Sequence, residues 1–335
     1  MPNLQDVAKL AGVSTATVSK VLSNTPYVSE PTRQKVMEAV AELGYRPHLA
    51  ARSLVTGKTQ TVGVVFPYLY DALFKDPLVL AILEGIEDEL TQKNYHLLLS
   101  TPRFRGREVD DTFYQLMQSG YLDGLIAIDS VPHSPITTIV KRHNIPLVVL
   151  GYHNAPYNVH SDDYLGGQNL MQHVLSLGHR RVGIISVPSD KNTAVNERVR
   201  GLRDATTRQG LDFDALPCVE GDFSTRSGAI LMAQLRAQNP DLTAVICIND
   251  RMAIGAIQHL QAQGVRVPQD VSVVGYDNLS LSELITPALT TVSQHATQLG
   301  RKSAQMLISV LNGETPFTAV IPPTLLVRGS TASPR

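Results

Sequence analysis

The sequence predicts two parts of different fold class, an N-terminal all-α headpiece and a larger α/β body with parallel sheets. Residues 1–46 contain three short amphipathic helical patterns. From residue 61 onward, apolar runs that resemble buried strands alternate with helical patterns. The 335 residues also fit two to three domains of ~100–200 residues each.

The composition is that of an ordinary globular protein, with 43% hydrophobic residues and two cysteines. No apolar run approaches the ~18 residues of a membrane span, and the N-terminus lacks the features of a secretory signal. Cys218 and Cys247 are too few for a disulfide framework or a four-ligand zinc site. We therefore expect a cytoplasmic protein without a membrane segment.

The net charge is −1, but the charges are unevenly distributed. Residues 1–60 carry seven Lys or Arg and four Asp or Glu, whereas the remainder carries 22 basic and 26 acidic side chains. A basic head on an acidic body indicates that only the head meets a polyanion. Taken alone, this small excess is also typical of a solvated surface.

The head is predicted to contain three capped helices. The capping residues are Asn3, Ser14 and Ser29, and the glycines that end the first and third helices are Gly12 and Gly44. The inward-facing residues are Leu4, Val7, Ala8 and Ala11 in the first helix, Val18, Val21 and Leu22 in the second, and Val36, Val40 and Leu43 in the third.

The first two helices have the order of a DNA-reading motif. The string DVAKLAGVSTATVSKVLSN places a helix, a glycine turn and a second capped helix within ~20 residues. Ala8 allows the helices to cross closely, while Val13 and Val18 fill the small core between them. This order is typical of a helix-turn-helix, in which the second helix enters the major groove. A generic helical hairpin is the alternative.

The segment after the head, residues 47–58, contains LAARSL, which spans about one and a half helical turns. A helix this short is not stable alone in water, so the residues by themselves predict a linker.

The body is predicted to contain two α/β lobes with a boundary near 158–163. Its strand patterns are TVGVVFP, HLLLST, GLIAIDS, PLVVLGY, RVGIISV, AVICIND and VSVVGYD, and its helical patterns cover 78–93, 108–119, 164–177, 198–209, 224–237 and 251–263. Continuous apolar strands separated by helices indicate parallel sheets covered on both faces. Binding sites in such sheets lie beyond the carboxyl ends of the strands.

Catalytic and metal-binding patterns are missing from the sequence. GKT at 57–59 resembles part of a phosphate loop, but Arg52 occupies the place of the required glycine. Asp162 and Asp163 are neighbours, and neighbours in a strand point to opposite faces, so they cannot share one task there. The ten histidines show no metal-ligand cluster. We therefore predict a protein that is not an enzyme and has no cofactor and no metal.

Several motifs in the same order resemble the LacI/GalR family of bacterial transcriptional regulators. They are LQDVAKLAGVSTATVSKVLS, RPHLAARSL, SLGHRRVGIIS, CINDRMAIGA, VPQDVSVVGYDN, TPALTTVSQ and LLVRGST. The resemblance covers essentially the whole chain. It implies a helix-turn-helix headpiece with a hinge helix, followed by a two-lobe body like that of periplasmic binding proteins.

The resemblance also implies domain limits. The headpiece covers 1–46, the hinge helix or linker 47–58, and the effector-binding and dimerisation body 61–330. Within the body, the N-lobe comprises about 61–160 plus 293–320, and the C-lobe about 162–290 plus 323–330. The chain would cross between the lobes near 159–162, 290–294 and 320–323.

The resemblance assigns the DNA-binding residues. Thr15, Ala16 and Lys20 match positions that meet base edges, because Thr or Ala can touch a thymine methyl and Lys can bond guanine acceptors. The residues that match phosphate-holding positions are Thr17, Ser19 and Asn24.

In the hinge, Leu54 matches a leucine that wedges into a central minor-groove step and kinks the DNA. Ala51, with Ala50, would let two hinge helices approach closely. A linker residue covered by the body is the alternative for Leu54.

The resemblance places most of the effector-binding residues in the C-lobe. Arg198 matches an arginine that grips the ligand, while Asn249, Asp250 and Asp277 follow strands and can share bonds with sugar hydroxyls. Phe223 matches an aromatic residue that stacks on the ligand ring. The alternatives are helix capping for Asp277 and core filling for Phe223.

The N-lobe loop departs from the family pattern. It reads YLYDALFKDPLV, with Asp76-Pro77 where Asn-Pro is common, and the resemblance places Asp76 among the effector-binding residues. Tyr68, Tyr70 and Phe74 can supply stacking faces in a chain that has no tryptophan. Ordinary loop packing is the alternative.

The sequence thus predicts a homodimeric, DNA-binding transcriptional regulator, specifically a repressor, that binds a near-palindromic operator and responds to a small polar effector. A mono- or disaccharide is favoured over a purine or nucleoside because Asp, Asn, Arg and aromatic side chains suit sugar hydroxyls and rings. A solute-binding receptor for transport would share the body, but the DNA-binding head argues against it. Inducer and corepressor roles both stay open.

Overall fold

The computed structural model describes residues 2–22, 27–45, 58–66, 73–105, 108–131, 134–151, 155–188 and 192–335. The chain divides into two compact units, Met1–Thr59 and Gln60–Arg335, here called the head and the body.

The described part of the head contains three helices, α1 Leu4–Ala11, α2 Thr15–Leu22 and α3 Glu30–Leu43. Asn3 begins α1 with a capping box: its Oδ1 accepts the amide of Asp6 at 3.1 Å, and the Asp6 carboxylate accepts the Asn3 amide at 2.8 Å. Gly12 ends this helix with a φ of +67°, a conformation that costs a glycine little.

The caps of α2 and α3 differ. Ser14 Oγ accepts the amide of Thr17 at 3.1 Å, which satisfies a backbone donor at the start of α2. At α3, Ser29 makes no side-chain bond to the helix backbone; its hydroxyl lies 2.9 Å from that of Thr32. The three predicted residues therefore stand at the N-cap positions. Of the three, Ser29 is the one whose side chain accepts no backbone amide.

The core of the head is formed by all three helices. Its buried residues are Val7, Ala8, Val18, Val21, Val36, Ala39 and Tyr45, and Leu4, Ala11, Val13, Leu22, Val40 and Leu43 pack around them. The predicted inward faces are thus confirmed. Helices this short are marginally stable alone in water, so the shared core stabilises all three.

The body contains fourteen described strands and nine described helices. The strands are β1 Thr61–Val65, β2 His96–Ser100, β3 Phe104–Arg105, β4 Glu108–Val109, β5 Gly124–Ile128, β6 Leu147–Leu150, β7 Asn158–Ser161, β8 Val182–Ser186, β9 Cys218–Glu220, β10 Ala244–Cys247, β11 Ser272–Val274, β12 Thr291–Ser293, β13 Ala319–Ile321 and β14 Thr324–Leu326. The helices are α4 Pro77–Gln92, α5 Asp111–Gln118, α6 Pro135–Arg142, α7 Asp163–Ser176, α8 Thr193–Arg208, α9 Thr225–Gln238, α10 Asp250–Ala262, α11 Leu281–Leu284 and α12 Ala296–Leu311, and a 3-10 turn covers Leu73–Lys75.

Two parallel sheets organise the body. The larger has the strand order β13-β7-β6-β5-β1-β2, and the smaller has the order β11-β10-β8-β9. We call the larger sheet and the helices packed on it the N-lobe, and the smaller sheet with its helices the C-lobe. Short antiparallel pairs join β12 to β14 and β3 to β4.

In the N-lobe, alternate residues of each strand enter different cores on the two faces of the sheet. Val64 and Ile126 pack with residues of α4 and α12, whereas Val65, Leu125 and Ala127 pack with residues of α5 and α6. This two-sided burial explains the continuous apolar runs in the sequence.

The chain passes between the lobes at three places. It leaves β7 of the larger sheet and enters α7, which packs in the C-lobe core. It returns between β12 and α12, and it crosses again between β13 and β14. Three connections limit how the lobes can move relative to one another.

Reciprocal glycines bring helices into close contact in both lobes. A Cβ on Gly85 of α4 would collide with the backbone oxygen of Thr297 in α12, and one on Gly300 would collide with that of Ile82. The same relation joins α7 to α8 through Gly167 and Gly201, and α9 to α10 through Gly228 and Gly255. Each pair therefore packs backbone against backbone.

Two helix boundaries differ from the prediction. The helix predicted at 198–209 begins at Thr193, where the Asn192 side chain accepts the amide of Val195 at 3.1 Å. The helix predicted at 108–119 is shorter, because residues 108–109 form β4 and Asp110 caps a helix that begins at Asp111. None of the described helices is long and apolar enough to cross a membrane.

Candidate functional site

The second head helix presents a polar face. Thr15, Ala16 and Lys20 are exposed, and Thr17 and Ser19 are half-buried. Ala16 and Lys20 lie four residues apart and so share one face of α2. The Thr17 hydroxyl lies 2.9 Å from that of Ser14, which links this side chain to the helix cap.

Several predicted site residues lie outside the described residues. These are Asn24 after α2, Ala51 and Leu54 in the hinge segment, and Tyr68 and Tyr70 in the N-lobe loop. Their roles stay predictions.

The central feature of the body is a buried charged cluster built around Arg198 of α8. This side chain is 7% exposed, and its Nε donates to Oδ1 of Asp163 at 2.7 Å. Its Nη1 donates to the Ile248 carbonyl at 3.0 Å and lies 3.7 Å from Oδ1 of Asp277. The guanidinium also stacks over the ring of Tyr276, 3.8 Å from the centroid. Arg198 therefore connects α7 and α8 to the ends of β10 and β11.

The cluster contains two buried carboxylates for one guanidinium. Burial raises the pKa of Asp163, which the neighbouring Arg198 partly opposes. Burial also raises the pKa of Asp277 well above its ordinary value, again against the effect of Arg198. The phenol of Tyr276 is buried as well, and its pKa is raised for the same reason. The excess of acid favours a proton or a hydrogen-bond donor in this cluster.

Asp277 is held in an unusual conformation. Its φ is +116°, and its Oδ1 accepts from Nε2 of Gln294 at 2.7 Å. The alternative role of helix capping does not apply, because the short helix α11 begins after Ser280 and the amide of Leu279 bonds to Asp250. A positive φ in a residue other than glycine costs of order 1–3 kcal/mol and often marks a functional position.

Asp250, which the family resemblance places among the effector-binding residues, is held by bonds within the C-lobe. The residue is fully buried, and both of its carboxylate oxygens accept from protein donors: the Leu279 amide at 2.8 Å and the hydroxyls of Ser282 and Thr291. Burial raises its pKa to about 6. Asp250 thus fixes the loop that follows β11, and its predicted contact with an effector stays a prediction.

Asn249 and Phe223 support one another. The Asn249 side chain caps α10 by accepting the Met252 amide at 3.0 Å and donates to the Phe223 carbonyl at 3.1 Å. Phe223 is half-buried against the C-lobe core and has a φ of +67°. Both side-chain groups of Asn249 are therefore engaged, and Phe223 fills the edge of the core at least in part.

On the N-lobe side, Asp76 caps α4. Its Oδ1 accepts the Leu78 amide at 3.0 Å, and its Oδ2 lies 3.2 Å from Nη1 of Arg251 in the C-lobe. Phe74, in the 3-10 turn before it, is 65% exposed. Burial raises the pKa of Asp277 and Arg198 opposes this effect. The nearby carboxylate of Asp76 raises that pKa further.

Three members of the site, Asp163, Tyr276 and Arg251, were not predicted from the sequence. From the sequence, Asp163 was considered only as the neighbour of Asp162 in a strand. In the structure both lie at the start of α7, and they have different roles. Asp162 caps that helix by accepting the Leu165 amide at 2.9 Å, while Asp163 binds Arg198. Tyr276 and Arg251 gave no signal, because their roles depend on contacts between distant segments. In the described part of the chain, no group of His, Cys, Asp or Glu is arranged to hold a metal.

A helix-turn-helix head joined to a two-lobe α/β body with a polar cluster at its strand ends defines a class of protein: DNA-binding regulators with a small-molecule-binding body. Residues 3–48 match the family described as bacterial regulatory proteins, lacI family. Residues 171–331 match the periplasmic binding protein-like domain.

Curated relatives match over almost the whole chain. The HTH-type transcriptional regulator CelR of Thermobifida fusca is 34% identical over 339 residues, covering 98% of each chain. The HTH-type transcriptional repressor PurR of Escherichia fergusonii is also 34% identical, covering 99% of this chain and 97% of the relative. This chain belongs to the LacI family of DNA-binding transcriptional regulators, whose activity a small-molecule effector controls.

Solved structures agree with this assignment. A complex of the transcriptional regulator CelR with cellobiose has a TM-score of 0.74 at 31% identity and covers 98% of this chain and 100% of its own. The lac repressor dimer bound to operator and the anti-inducer ONPF has a TM-score of 0.88 at 28% identity, with 99% of each chain covered. The predicted fold class and family are confirmed.

Proposed function

We propose that this regulator is a homodimeric repressor that reads a near-palindromic operator with α2 and binds a sugar between its two lobes. The observation that carries the proposal is the buried Arg198 cluster at the strand ends of the C-lobe. The structures of CelR with cellobiose and of the lac repressor dimer with operator support the sugar, the dimer and the operator as partners.

For DNA binding, we propose the roles that the sequence suggests. Thr15, Ala16 and Lys20 would meet base edges, since all three are exposed on α2. The half-buried Thr17 and Ser19 would position the helix on phosphates. Two-fold symmetry of a dimer requires a matching symmetry in the operator.

For effector binding, we propose that Arg198 and Asp277 face the ligand with one donor and one acceptor. Among the described residues, no hydrogen bond uses Nη2 of Arg198 or Oδ2 of Asp277. A sugar hydroxyl can accept from the first and donate to the second. Because Arg198 already bonds to Asp163 and to the Ile248 carbonyl, the ligand would bind the remaining donor and acceptor of a preformed cluster.

Lys20 gives the test of the DNA site. We expect Lys20→Ala to lose roughly 1–3 kcal/mol of operator affinity, the scale of one base contact. Lys35→Ala is the matched control, because Lys35 is an equally charged, exposed residue on α3. Fluorescence anisotropy with labelled DNA from the regulator's own promoter region measures both. Equal losses in the two variants would contradict a base-reading role for Lys20.

Asp277→Asn gives the test of the effector site. The variant keeps the size of the side chain and the acceptor for Gln294 but replaces the Oδ2 acceptor with an amide donor. We expect unchanged operator affinity and a response that needs tenfold or more effector, at ~1.4 kcal/mol per tenfold. Cellobiose, ribose and hypoxanthine serve as probes of the sugar and purine alternatives. Asp241→Asn, a surface change in the same lobe, should respond like the parent; a parent-like response of Asp277→Asn would move the effector site elsewhere.

A further inference from the structure

Two polar contacts between described residues of the two lobes lie on different elements. One is the ion pair between Asp76, at the start of α4, and Arg251, in the first turn of α10. The other is made by Thr193, the first residue of α8, whose amide and hydroxyl both donate to the Ser130 carbonyl at 2.9 and 3.0 Å. Neither contact shares a residue with the Arg198 cluster.

We propose that Asp76 and Arg251 form an interlobe latch, a pair of positioning residues that holds the lobes closed before any effector is present. Both side chains are partly buried, with exposed fractions of 26% and 21%. Water screens such a pair less than a fully exposed one, so its attraction survives at ordinary ionic strength.

The geometry of Asp76 favours this role. One carboxylate oxygen caps the Leu78 amide, which fixes the side chain, and the other oxygen faces Arg251. Because the cap already orders this carboxylate, forming the ion pair costs less side-chain entropy than it would for two mobile residues.

Arg251 is held in a similar way. It follows Asp250, whose carboxylate bonds the Leu279 amide and two hydroxyls in the C-lobe, so its backbone is fixed. A cation in the first turn of a helix also gains nothing from the helix dipole. The favourable partner of Arg251 is therefore the carboxylate across the cleft.

The latch acts on a large part of each lobe. Gly85 and Gly300 press the backbones of α4 and α12 together, so a shift of Asp76 carries both helices. On the other lobe, Gly228 and Gly255 join α9 and α10 in the same way. Opening the latch should therefore separate the lobes and break the bonds between Thr193 and Ser130 as well.

The regulatory consequence rests on the proposed function, whereas the closure itself does not. If the effector binds between closed lobes, its apparent affinity rises with the fraction of protein already closed. The latch would then set the effector concentration at which the regulator responds.

Amide hydrogen exchange at Thr193 in the full-length protein tests the latch without any ligand. The variants are Arg251→Met, which keeps the length of the side chain, and Asp76→Asn, which keeps the helix cap. We expect each variant to speed exchange of the Thr193 amide about two- to fivefold, the range for an ion pair of ~0.4–1 kcal/mol. The double variant should be no faster than either single variant.

Arg301→Met is the matched control. Arg301 pairs with Asp88 at 3.1 Å, but that pair joins two helices of the N-lobe, so Thr193 should exchange as in the parent. Parent-like exchange at Thr193 in Arg251→Met or Asp76→Asn, or additive effects in the double variant, would overturn the latch. Failure of every sugar to release DNA would instead contradict the proposed effector, and the exchange result would still decide the latch.

Discussion

Arg198 makes contacts within the protein that the family resemblance does not imply. The family resemblance implies an arginine whose fork grips the ligand, but two of its nitrogen atoms already bond to Asp163 and to the Ile248 carbonyl. Removing one partner of a buried ion pair leaves the other charge without compensation. Arg198 therefore supports the fold of the C-lobe as well as the proposed site.

This dual role predicts the effect of truncation. Arg198→Ala leaves the buried carboxylates of Asp163 and Asp277 without their cation, and we expect a loss of about 3–5 kcal/mol in the free energy of unfolding. Urea unfolding monitored by circular dichroism measures it. Arg203 lies on the same helix as Arg198 and forms an exposed ion pair with Asp214. We expect Arg203→Ala to lower the free energy of unfolding by less than about 1 kcal/mol. Similar losses in both variants would show that the cluster is not strongly coupled.

The excess carboxylate also predicts a pH dependence. Because burial raises the pKa of Asp277 well above its ordinary value, the folded protein binds this proton more tightly than the unfolded chain. The free energy of unfolding should therefore fall as the pH rises from about 4 through the folded pKa. Asp277→Asn cannot titrate, so its stability should fall less steeply over the same range.

Thermal unfolding between about pH 4 and pH 8 measures this slope. Some slope should persist in Asp277→Asn, because burial also raises the pKa of Asp163 and brings that of Asp250 to about 6. Asp241→Asn, at the surface, should keep the slope of the parent. Parallel curves for Asp277→Asn and the parent would show that Asp277 does not carry the excess proton.

At the element scale, the sequence predicts best what is buried on both sides. All seven strands with continuous apolar runs exist, and so do the helices between them, because a two-sided core requires apolar residues at nearly every strand position. Several elements match none of the predicted patterns, among them β7, β12 and the helices α6 and α12. The edge strand β9, Cys218–Glu220, was also missed, since its residues are exposed or half-buried and form no apolar run. The partners of Arg198 were missed for a different reason: α7, α8 and β11 meet only in the folded chain.

The reciprocal glycines give a prediction for a helix pair. In an isolated helix, Gly→Ala is favourable by about 1 kcal/mol. Here, Gly85→Ala should instead destabilise the N-lobe by about 1–3 kcal/mol or more, because the new methyl group collides with the backbone of α12. Urea unfolding again measures the change.

Gly120→Ala is the control for that experiment. Gly120 has a φ of +67° and open space around it, so its substitution costs only the backbone strain of about 1–2 kcal/mol. Alanine at this position should leave α4 and α12 in contact. A stabilising effect of Gly85→Ala would mean that the two helices can separate without cost.

At the scale of the whole molecule, the chain separates two kinds of binding. The head, with its excess of basic residues, belongs to one compact unit, and the acidic body forms another. Binding of DNA releases counterions from the phosphates, whereas binding of a neutral sugar releases none. The two activities should therefore respond differently to salt.

This difference gives a final prediction. The logarithm of operator affinity should fall linearly with the logarithm of salt concentration. The slope should be about −0.9 for each phosphate neutralised, so the total slope for the proposed dimer should be several units. Binding of a neutral sugar should change little between about 50 and 200 mM salt, because no phosphate is neutralised. Anisotropy titrations with promoter DNA and calorimetric titrations with cellobiose measure the two slopes on the same protein. A flat slope for DNA would mean that base contacts and the hinge, rather than the basic head, supply most of the affinity. A steep slope for cellobiose would mean that salt weakens an ion pair on which cellobiose binding depends, such as that of Arg251 with Asp76. That result would connect the latch to effector binding.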